Sequence, residues 1–448
     1  MRHLNTKLPF IIFLLTLLFI SSCRKDEQIF VSKPTEYYGA QVANDWVDMF
    51  RNLTKKTAGY TPPVASRAFG YVGVTIYETV VPGMPQYQSL ATQLTQMPAI
   101  ASPDLSQEYN WSIAANAAMS YLALNLYPTA PADQLTAILK LETESLDRLK
   151  VGVGQDIITR SKEWGLTVAK TIFEWSKTDG GHEGYSKNFP ATYTPPTGNG
   201  GMWVSTFPAF QKAMQPFWGN NRTFIPQCAE NTQPDAPAPF SEDVNSTFMM
   251  QAQETYSVGI NATPEQKLIA NYWSDDPGVP GTPPGHLVAV ATQVIQKENF
   301  NLAKAAEAYA KVGIGVSDAF VSCWKCKYQH NYVRPISYIR TKIDANWVSL
   351  LTTPPFPEYT SGHSVASGAA SKILTDLFGT PYEFTDKTHE KRTDIDGTPR
   401  TFRSFNDMAA EAAISRLYGG IHFREAIAKG VDQGVRVGTE VGKLKFKK

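Results

Sequence analysis

The sequence has little excess charge of either sign. Its 42 Lys and Arg residues are balanced by 41 Asp and Glu residues, which leaves a formal net charge of +1 over 448 residues. This balance argues against nucleic acid or an anionic membrane as the main partner, because the overall field attracts neither. Any anion-binding site in this protein must therefore be local.

Long apolar runs are absent after the first 23 residues, so no membrane-spanning helix is predicted there. At the start, a basic segment is followed by an apolar stretch from Phe10 to Ile20 and then by Ile20-Ser-Ser-Cys23. This pattern predicts a lipoprotein signal peptide over 1–22, lipidation of Cys23 and a polar tether over 23–38. The alternative is a plain secretory signal with an incidental cysteine. Both predict export, and the first predicts a lipid anchor in the bacterial cell envelope.

Cysteine is scarce, with four residues in the whole chain. Apart from Cys23 there are three, Cys228, Cys323 and Cys326, and an odd number gives no complete disulfide framework. The last two have the spacing of a redox motif, but no βαβ pattern surrounds them. Buried thiols or one structural disulfide are the favoured interpretations.

The body of the chain is helical in pattern, with apolar residues spaced by three and four. Between about 180 and 240, proline, glycine, asparagine and aromatic residues predominate, which indicates a long ordered loop, a lid or a subdomain junction. We predict an all-α protein, suited to two four-helix bundles, with an N-terminal region over 39–240 and a C-terminal bundle over 241–448. The predicted helices are 39–55, 64–81, 109–127, 132–149, 155–176, 241–257, 264–273, 286–297, 302–328 and 365–378.

The segment from Phe356 to Ser364 carries a compact set of polar groups. Ser361 offers a hydroxyl, Gly362 an unobstructed backbone amide and His363 an imidazole that can move a proton near neutral pH. The small residues that follow predict a helix, whose first amides lack internal partners and carry the positive end of its dipole. The segment therefore predicts half of a site for an oxyanion.

Positive charge, the other half of such a site, occurs on both sides of this segment. Upstream, six residues separate Lys327 from Arg334, and downstream, five residues separate Arg416 from His422. Arginine matches paired oxygens with its planar fork, whereas lysine acts as a movable point charge. Together these groups could surround one tetrahedral or trigonal-bipyramidal oxyanion.

The three blocks resemble the motifs of the vanadium-dependent haloperoxidase and type 2 phosphatidic acid phosphatase superfamily. They agree in order, in spacing and in C-terminal placement, and the resemblance covers about 324–425. It implies a helical assembly with the site in one bundle and vanadate as the cofactor. His422 would coordinate vanadium, and His363 would act as acid or base. The vanadate oxygens would be bound by Lys327, Arg334, Ser361, Gly362 and Arg416, and Lys327 would also donate to bound peroxide.

Two aromatic residues favour the haloperoxidase branch of this superfamily. Trp324 and Phe356 stand where haloperoxidases place residues around the halide, and Phe356 resembles the chloroperoxidase choice. The alternative is that both are core aromatics. The expected reaction is oxidation of a halide by hydrogen peroxide to hypohalous acid, and iodide, the most easily oxidised halide, is the first substrate expected.

Two other functions remain open. An exported acid phosphatase with a phosphohistidine intermediate would use the same cage, but it usually has an aspartate four residues after the last histidine, where this chain has Ala426 beside Glu425. A non-catalytic surface lipoprotein would bind a glycan or an oxyanion through the 180–240 loop. Three further polar residues could support the site from outside it, namely Asp275, Asp276 and His286.

Overall fold

The structure, a computed structural model, describes residues 31–198, 200–275 and 281–448. The predicted signal peptide, Cys23 and Asp276 lie outside the described residues, so export and the lipid anchor stay predictions. None of the helices in the described ranges has the length and apolar character needed to cross a membrane.

The predicted all-α class is confirmed. The described residues contain one two-stranded antiparallel sheet, of β1 (Phe384–Asp386) and β2 (Arg400–Phe402). They also contain fourteen α-helices, which are α1 (Gln41–Lys56), α2 (Pro62–Val80), α3 (Trp111–Leu126), α4 (Ala132–Leu149), α5 (Gln155–Ser176), α6 (Cys228–Asn231), α7 (Thr247–Asn261), α8 (Pro264–Tyr272), α9 (Thr282–Lys297), α10 (Leu302–His330), α11 (Pro335–Lys342), α12 (Gly362–Phe378), α13 (Phe405–Tyr418) and α14 (Arg424–Gly442).

Helix α10 is the central element. It is 29 residues long and is buried on all sides over most of its length. Alanines and glycines on this helix let α2 come close, and a Cβ on Gly313 would overlap the carbonyl oxygen of Phe69. The helix ends at Asn331, which adopts a left-handed conformation (φ 45°). Its last turn carries Lys327 into the interior.

The start of α12 is held in place by α14. The Ser361 side chain caps α12 by accepting from the amide of Ser364 at 3.4 Å, and the Ser361 amide donates to the carbonyl of Ala426 at 3.0 Å. The two helices then cross closely, because a Cβ on Gly434 of α14 would overlap the carbonyl oxygen of Val365. Their contact fixes where Gly362 and His363 point.

Between residues 180 and 240 the chain is a long loop with short helical turns, and it packs onto the core. Trp203 and Trp218 are buried, and the amide of Trp203 donates to the carbonyl of Asn331 at 2.7 Å. One buried apolar cluster includes residues from Ala40 to Phe446. The boundary at residue 240 stays a prediction.

The remaining differences from the sequence predictions are local. The helix predicted at 241–257 begins at Thr247, where the Ser246 side chain accepts from the amide of Met249. The three cysteines of the described residues are free and buried, so neither a disulfide nor a redox pair is formed by Cys323 and Cys326. Burial raises the pKa of both thiols, to about 12 for Cys326, which makes them poor nucleophiles.

We expect Gly434→Ala to lower the free energy of unfolding by about 2 kcal/mol, because the added methyl group must separate α12 from α14. Gly442→Ala is the matched control in the same helix, since its Cβ would meet only Asp376 Oδ2 at 3.5 Å. Urea denaturation of both variants measures the difference. Equal stabilities would show that the helix contact tolerates extra volume.

Candidate active site

The three sequence motifs meet at one cavity of about 290 Å³. Its lining includes Gly362, His363, Arg416 and His422, together with Trp324 and Phe356. Lys327, Arg334 and Ser361 are fully buried and lie behind this wall. The structure therefore brings the predicted oxyanion-site and halide-pocket residues to one cavity. Some of them line its wall, and the others lie directly behind it.

His422 is oriented by a carboxylate. Its Nδ1 lies 2.9 Å from Oε1 of Glu358, and the same oxygen accepts from the amide of Phe423 at 2.9 Å. A carboxylate at Nδ1 favours the tautomer that carries its proton there, which leaves a lone pair on Nε2. Burial, followed by the charges of Arg334, Lys327 and Arg416, keeps the pKa of His422 well below its usual range. His422 is thus a neutral imidazole whose Nε2 keeps a lone pair; this nitrogen faces Arg334 Nη1 at 3.1 Å, and a ligand at Nε2 would replace that contact.

Glu358 was missed as a functional residue, although it lies inside the central motif. Sequence spacing could not show that its side chain reaches His422, 64 positions away. The argument from Ala426 against a phosphatase was wrong on this point, because the acidic partner of His422 comes from another segment. Burial raises the pKa of Glu358 to about 7, and Arg334 and Lys327 act in the opposite direction.

Arg334 is the buried cation closest to His422. Its Nε donates to the carbonyl of Phe356 at 2.8 Å, and its Nη1 donates to the carbonyl of Ile421 at 2.7 Å and lies 3.1 Å from His422 Nε2. Its Nη2 is buried and has no acceptor among the described residues. A buried donor without an acceptor is costly, and an oxygen of a bound anion would satisfy it. The residues present therefore fit an oxyanion beside His422.

Lys327 lies with the other predicted residues, but its ammonium is hydrogen-bonded to the backbone. Its Nζ donates to the carbonyls of Pro357, Glu358 and Thr360, which engages all three of its N–H bonds. Burial lowers the pKa of Lys327 to about 8. The ammonium therefore stabilises the loop that leads into α12, and reaching an anion requires exchange of one of these bonds.

Gly362 and His363 form the first turn of α12 at the cavity wall. A Cβ on Gly362 would lie no closer than 3.6 Å to any other residue, with Trp324 nearest, so the amide is accessible from the cavity. His363 Nε2 is 3.4 Å from Asp275 Oδ2. Burial and the charge of Arg416 lower the pKa of His363 to about 4, which leaves a neutral imidazole near pH 7.

Arg416 and His422 are brought together by the turn after α13. Arg416 stands in the last turn of α13 and donates through Nη1 to the carbonyl of Trp273. Gly420 then adopts φ 74°, the amide of Ile421 donates back to the carbonyl of Arg416 at 3.2 Å, and α14 begins at Arg424. This reversal places both side chains on the same cavity.

The two predicted halide-pocket residues are neighbours. The ring centroids of Trp324 and Phe356 are 4.9 Å apart, and both rings line the cavity. The Trp324 ring is fixed by a bond from Nε1 to the carbonyl of Met214 at 3.3 Å. They form an apolar part of the wall beside the buried cations, because the Phe356 ring centroid lies 5.0 Å from Lys327 Nζ and 4.9 Å from Arg334 Cζ, and this placement suits either a halide pocket or a core contact.

A second polar cluster lies behind His363. It contains Asp275 and His286, which the sequence had indicated, and Asp386, His389 and Tyr272, which it had not. Asp275, His286 and His389 are close enough to hold a metal ion. Asp275 borders the cavity, whereas His286 is completely buried.

Comparison with known proteins agrees with this geometry. Residues 307–447 match the family model of the vanadium chloroperoxidase second helical-bundle domain. The structure of a bacterial vanadium-dependent iodoperoxidase is 35% identical, with a TM-score of 0.81 over 92% of this chain and 97% of that one. A bacterial vanadium-dependent chloroperoxidase, at 18% identity and a TM-score of 0.62 over 86% of this chain and 94% of that one, shares the fold.

A curated relative is more distant. The vanadium chloroperoxidase of Curvularia inaequalis is 23% identical over 285 residues, which are 48% of this chain. The matched part spans 46% of that relative, or less than half of its length. The match to the iodoperoxidase is both close enough and long enough to assign a family, and the chain belongs to the vanadium-dependent haloperoxidases.

Proposed function

We propose that this protein oxidises a halide, with iodide favoured, using hydrogen peroxide and bound vanadate, and releases hypohalous acid or its equivalent. The observation that carries the proposal is the lone pair of His422 Nε2 at the cavity, beside Arg334, whose Nη2 is buried without an acceptor among the described residues. A nitrogen ligand next to a buried donor is what a vanadate ion needs from a protein. The likeness to an iodoperoxidase at 35% identity supports iodide.

The residues that would hold vanadate divide into one ligand and several donors. His422 would bind the metal through Nε2, and the oxygens would be bound by Arg334, Arg416, Ser361, the amide of Gly362 and Lys327. When bound, vanadate supplies a Lewis acid that activates hydrogen peroxide without a change of oxidation state. The positive cage balances its negative charge in a water-poor cavity.

The chain's own groups would manage the protons. His363 is neutral near pH 7, so its imidazole can accept a proton from incoming peroxide and return it to a leaving oxygen. Lys327 keeps its proton below about pH 8 and loses it above. Trp324 and Phe356 would exclude water from the halide.

A histidine phosphatase is the second candidate, and one observation favours it. Glu358 at Nδ1 of His422 is the type of partner that makes an imidazole a better nucleophile. The same donors could bind a phosphoryl group.

One experiment separates the two functions. Purified protein is loaded with orthovanadate and desalted, and triiodide formation from iodide and hydrogen peroxide is followed. Hydrolysis of p-nitrophenyl phosphate is followed with the vanadate-free protein, and His422→Ala is the control. We expect vanadate-dependent triiodide that is lost in the variant. Phosphatase turnover inhibited by vanadate, without iodide oxidation, would contradict the proposal.

Glu358→Gln should weaken vanadate binding about 10- to 100-fold, because the amide no longer increases the basicity of His422. The measurement is the vanadate concentration that restores half of the peroxidase activity. Glu425→Gln is the control, since its carboxylate accepts from the amide of Ala238 and the side chain of Gln251 instead. Equal affinities in the wild type and Glu358→Gln would remove Glu358 from the account.

Vanadate affinity should also fall as the pH rises through about 8, because the Lys327 ammonium is then lost. The charge of vanadate itself changes with pH, so Lys327→Met is titrated in parallel. We expect the variant to bind weakly and to lack the additional loss above pH 8. The same pH dependence in both proteins would assign it to vanadate and not to Lys327.

A further inference from the structure

His286 is enclosed by two carboxylates. Its Nδ1 lies 2.8 Å from Asp275 Oδ1, and its Nε2 lies 2.8 Å from Asp386 Oδ2. All three side chains are buried, and the imidazole stacks on Trp273 with centroids 4.5 Å apart and planes at 17°. A carboxylate at each nitrogen favours the doubly protonated ring, which can donate to both.

Asp275 connects this pair to the active site. While Oδ1 accepts from His286, Oδ2 lies 3.4 Å from Nε2 of His363 at the cavity wall. One carboxylate therefore makes a hydrogen bond with His286 and lies at ion-pair distance from His363 and His389, so the charge of one imidazole affects the proton affinity of the others. On the other side of His286, the Asp386 oxygen that faces its Nε2 also accepts from the hydroxyl of Tyr272 at 2.7 Å. This hydrogen bond fixes the position of the Asp386 carboxylate.

The titratable groups around His286 come from six segments. They are Tyr272 and Asp275 at and after the end of α8, Asp386 of β1, His389 of the following turn, Arg400 of β2 over the Tyr272 ring, His363 of α12 and Arg416 of α13. Burial disfavours a charge on His286, but Asp275 and Asp386 outweigh it and raise its pKa to about 10. Despite its burial, Asp275 has a pKa well below its usual range, because of His286.

A metal ion is the rival explanation for the cluster. Asp275, His286 and His389 could supply three ligands, and both nitrogens of His389 are buried without a hydrogen bond among the described residues, although Nε2 lies 3.6 Å from Asp275 Oδ1. However, His286 already has a carboxylate at each nitrogen at hydrogen-bond distance, and a ring that donates to both has no lone pair for a metal. The contacts of His286 favour the charged ring.

We propose that His286 is a positioning residue that acts through Asp275: it keeps this carboxylate ionised and turned so that one oxygen faces His363, and it thereby sets the pH at which His363 takes up a proton. Asp386 supports it by holding the second nitrogen. The importance of His363 for turnover rests on the proposed function, but the coupling between the three side chains does not.

The sign of the effect follows from the charges. His286→Gln removes one positive charge. In the wild type this charge stabilises the ionised form of Asp275 and opposes protonation of His363. Both effects of its removal favour a proton shared by Asp275 and His363. The titration midpoint of His363 should therefore rise by about one pH unit. Asp275→Asn removes the linking carboxylate, which raises the pKa of His363, and should therefore shift the midpoint in the opposite direction.

The test is an NMR titration of the full-length, vanadate-free protein labelled at histidine Cε1. The chain has seven histidines, so single His→Gln variants assign the signals. We expect His286 to be charged at neutral pH in the wild type, and the His363 midpoint to rise in His286→Gln. His182→Gln, in the loop after α5, is the control that leaves it unchanged. In the vanadate-loaded protein, the pH profile of kcat/KM for peroxide should show the same change: the apparent pKa on its acidic side should rise by the same amount in His286→Gln.

Three results would overturn the proposal. The first is a neutral His286 at neutral pH in the wild type. The second is an unchanged His363 midpoint in Asp275→Asn, which would show that Asp275 carries no effect to His363 even if His286→Gln does not fold. The third is one equivalent of zinc in the purified protein whose removal shifts the signals of His286 and His389. An absence of haloperoxidase activity would refute the proposed function alone, because the NMR titration needs no turnover.

Discussion

The burial of two cations inside a helical core is the constraint on which this active site depends. Lys327 and Arg334 are both fully buried, and within the described residues neither forms a direct ion pair with a carboxylate. Backbone carbonyls from the segments before α12 and α14 solvate them instead, so these segments must converge where they do. Burial lowers the pKa values of both side chains, to about 8 and about 10. An anion would relieve the remaining excess of positive charge, which supports the proposal that the cage binds vanadate.

The two imidazoles of the site are controlled by separate carboxylates. Glu358 reaches His422 from the loop before α12, and Asp275 reaches His363 from the segment after α8. The first pair leaves a lone pair for a ligand, whereas the second lies where a proton would be exchanged. The carboxylates are on different elements, but the charge of Arg416 lowers the pKa of both imidazoles and so couples them.

The fold class and the cage were predictable from sequence because each depends on local spacing. The periodic helices, the helix that follows Ser361 and the spacings within the three motifs are encoded within short segments. Asp386, His389 and the partner of His422 were not predictable, since they depend on packing between residues that are far apart in sequence, 64 positions for His422 and Glu358 and 100 for His286 and Asp386. The Ala426 argument failed for the same reason. Lys327 stood at the predicted position, but its ammonium proved to be bound by three carbonyls.

The proposed function depends on His422 Nε2 as the ligand of vanadium. X-ray absorption at the vanadium K edge of the loaded protein tests this most directly, since imidazole gives a characteristic multiple-scattering pattern. We expect one imidazole nitrogen in the first coordination sphere of the wild type and none in His422→Ala to which vanadate has been added at high concentration. An all-oxygen sphere in the wild type would contradict the account, because vanadate would then be held by charge alone.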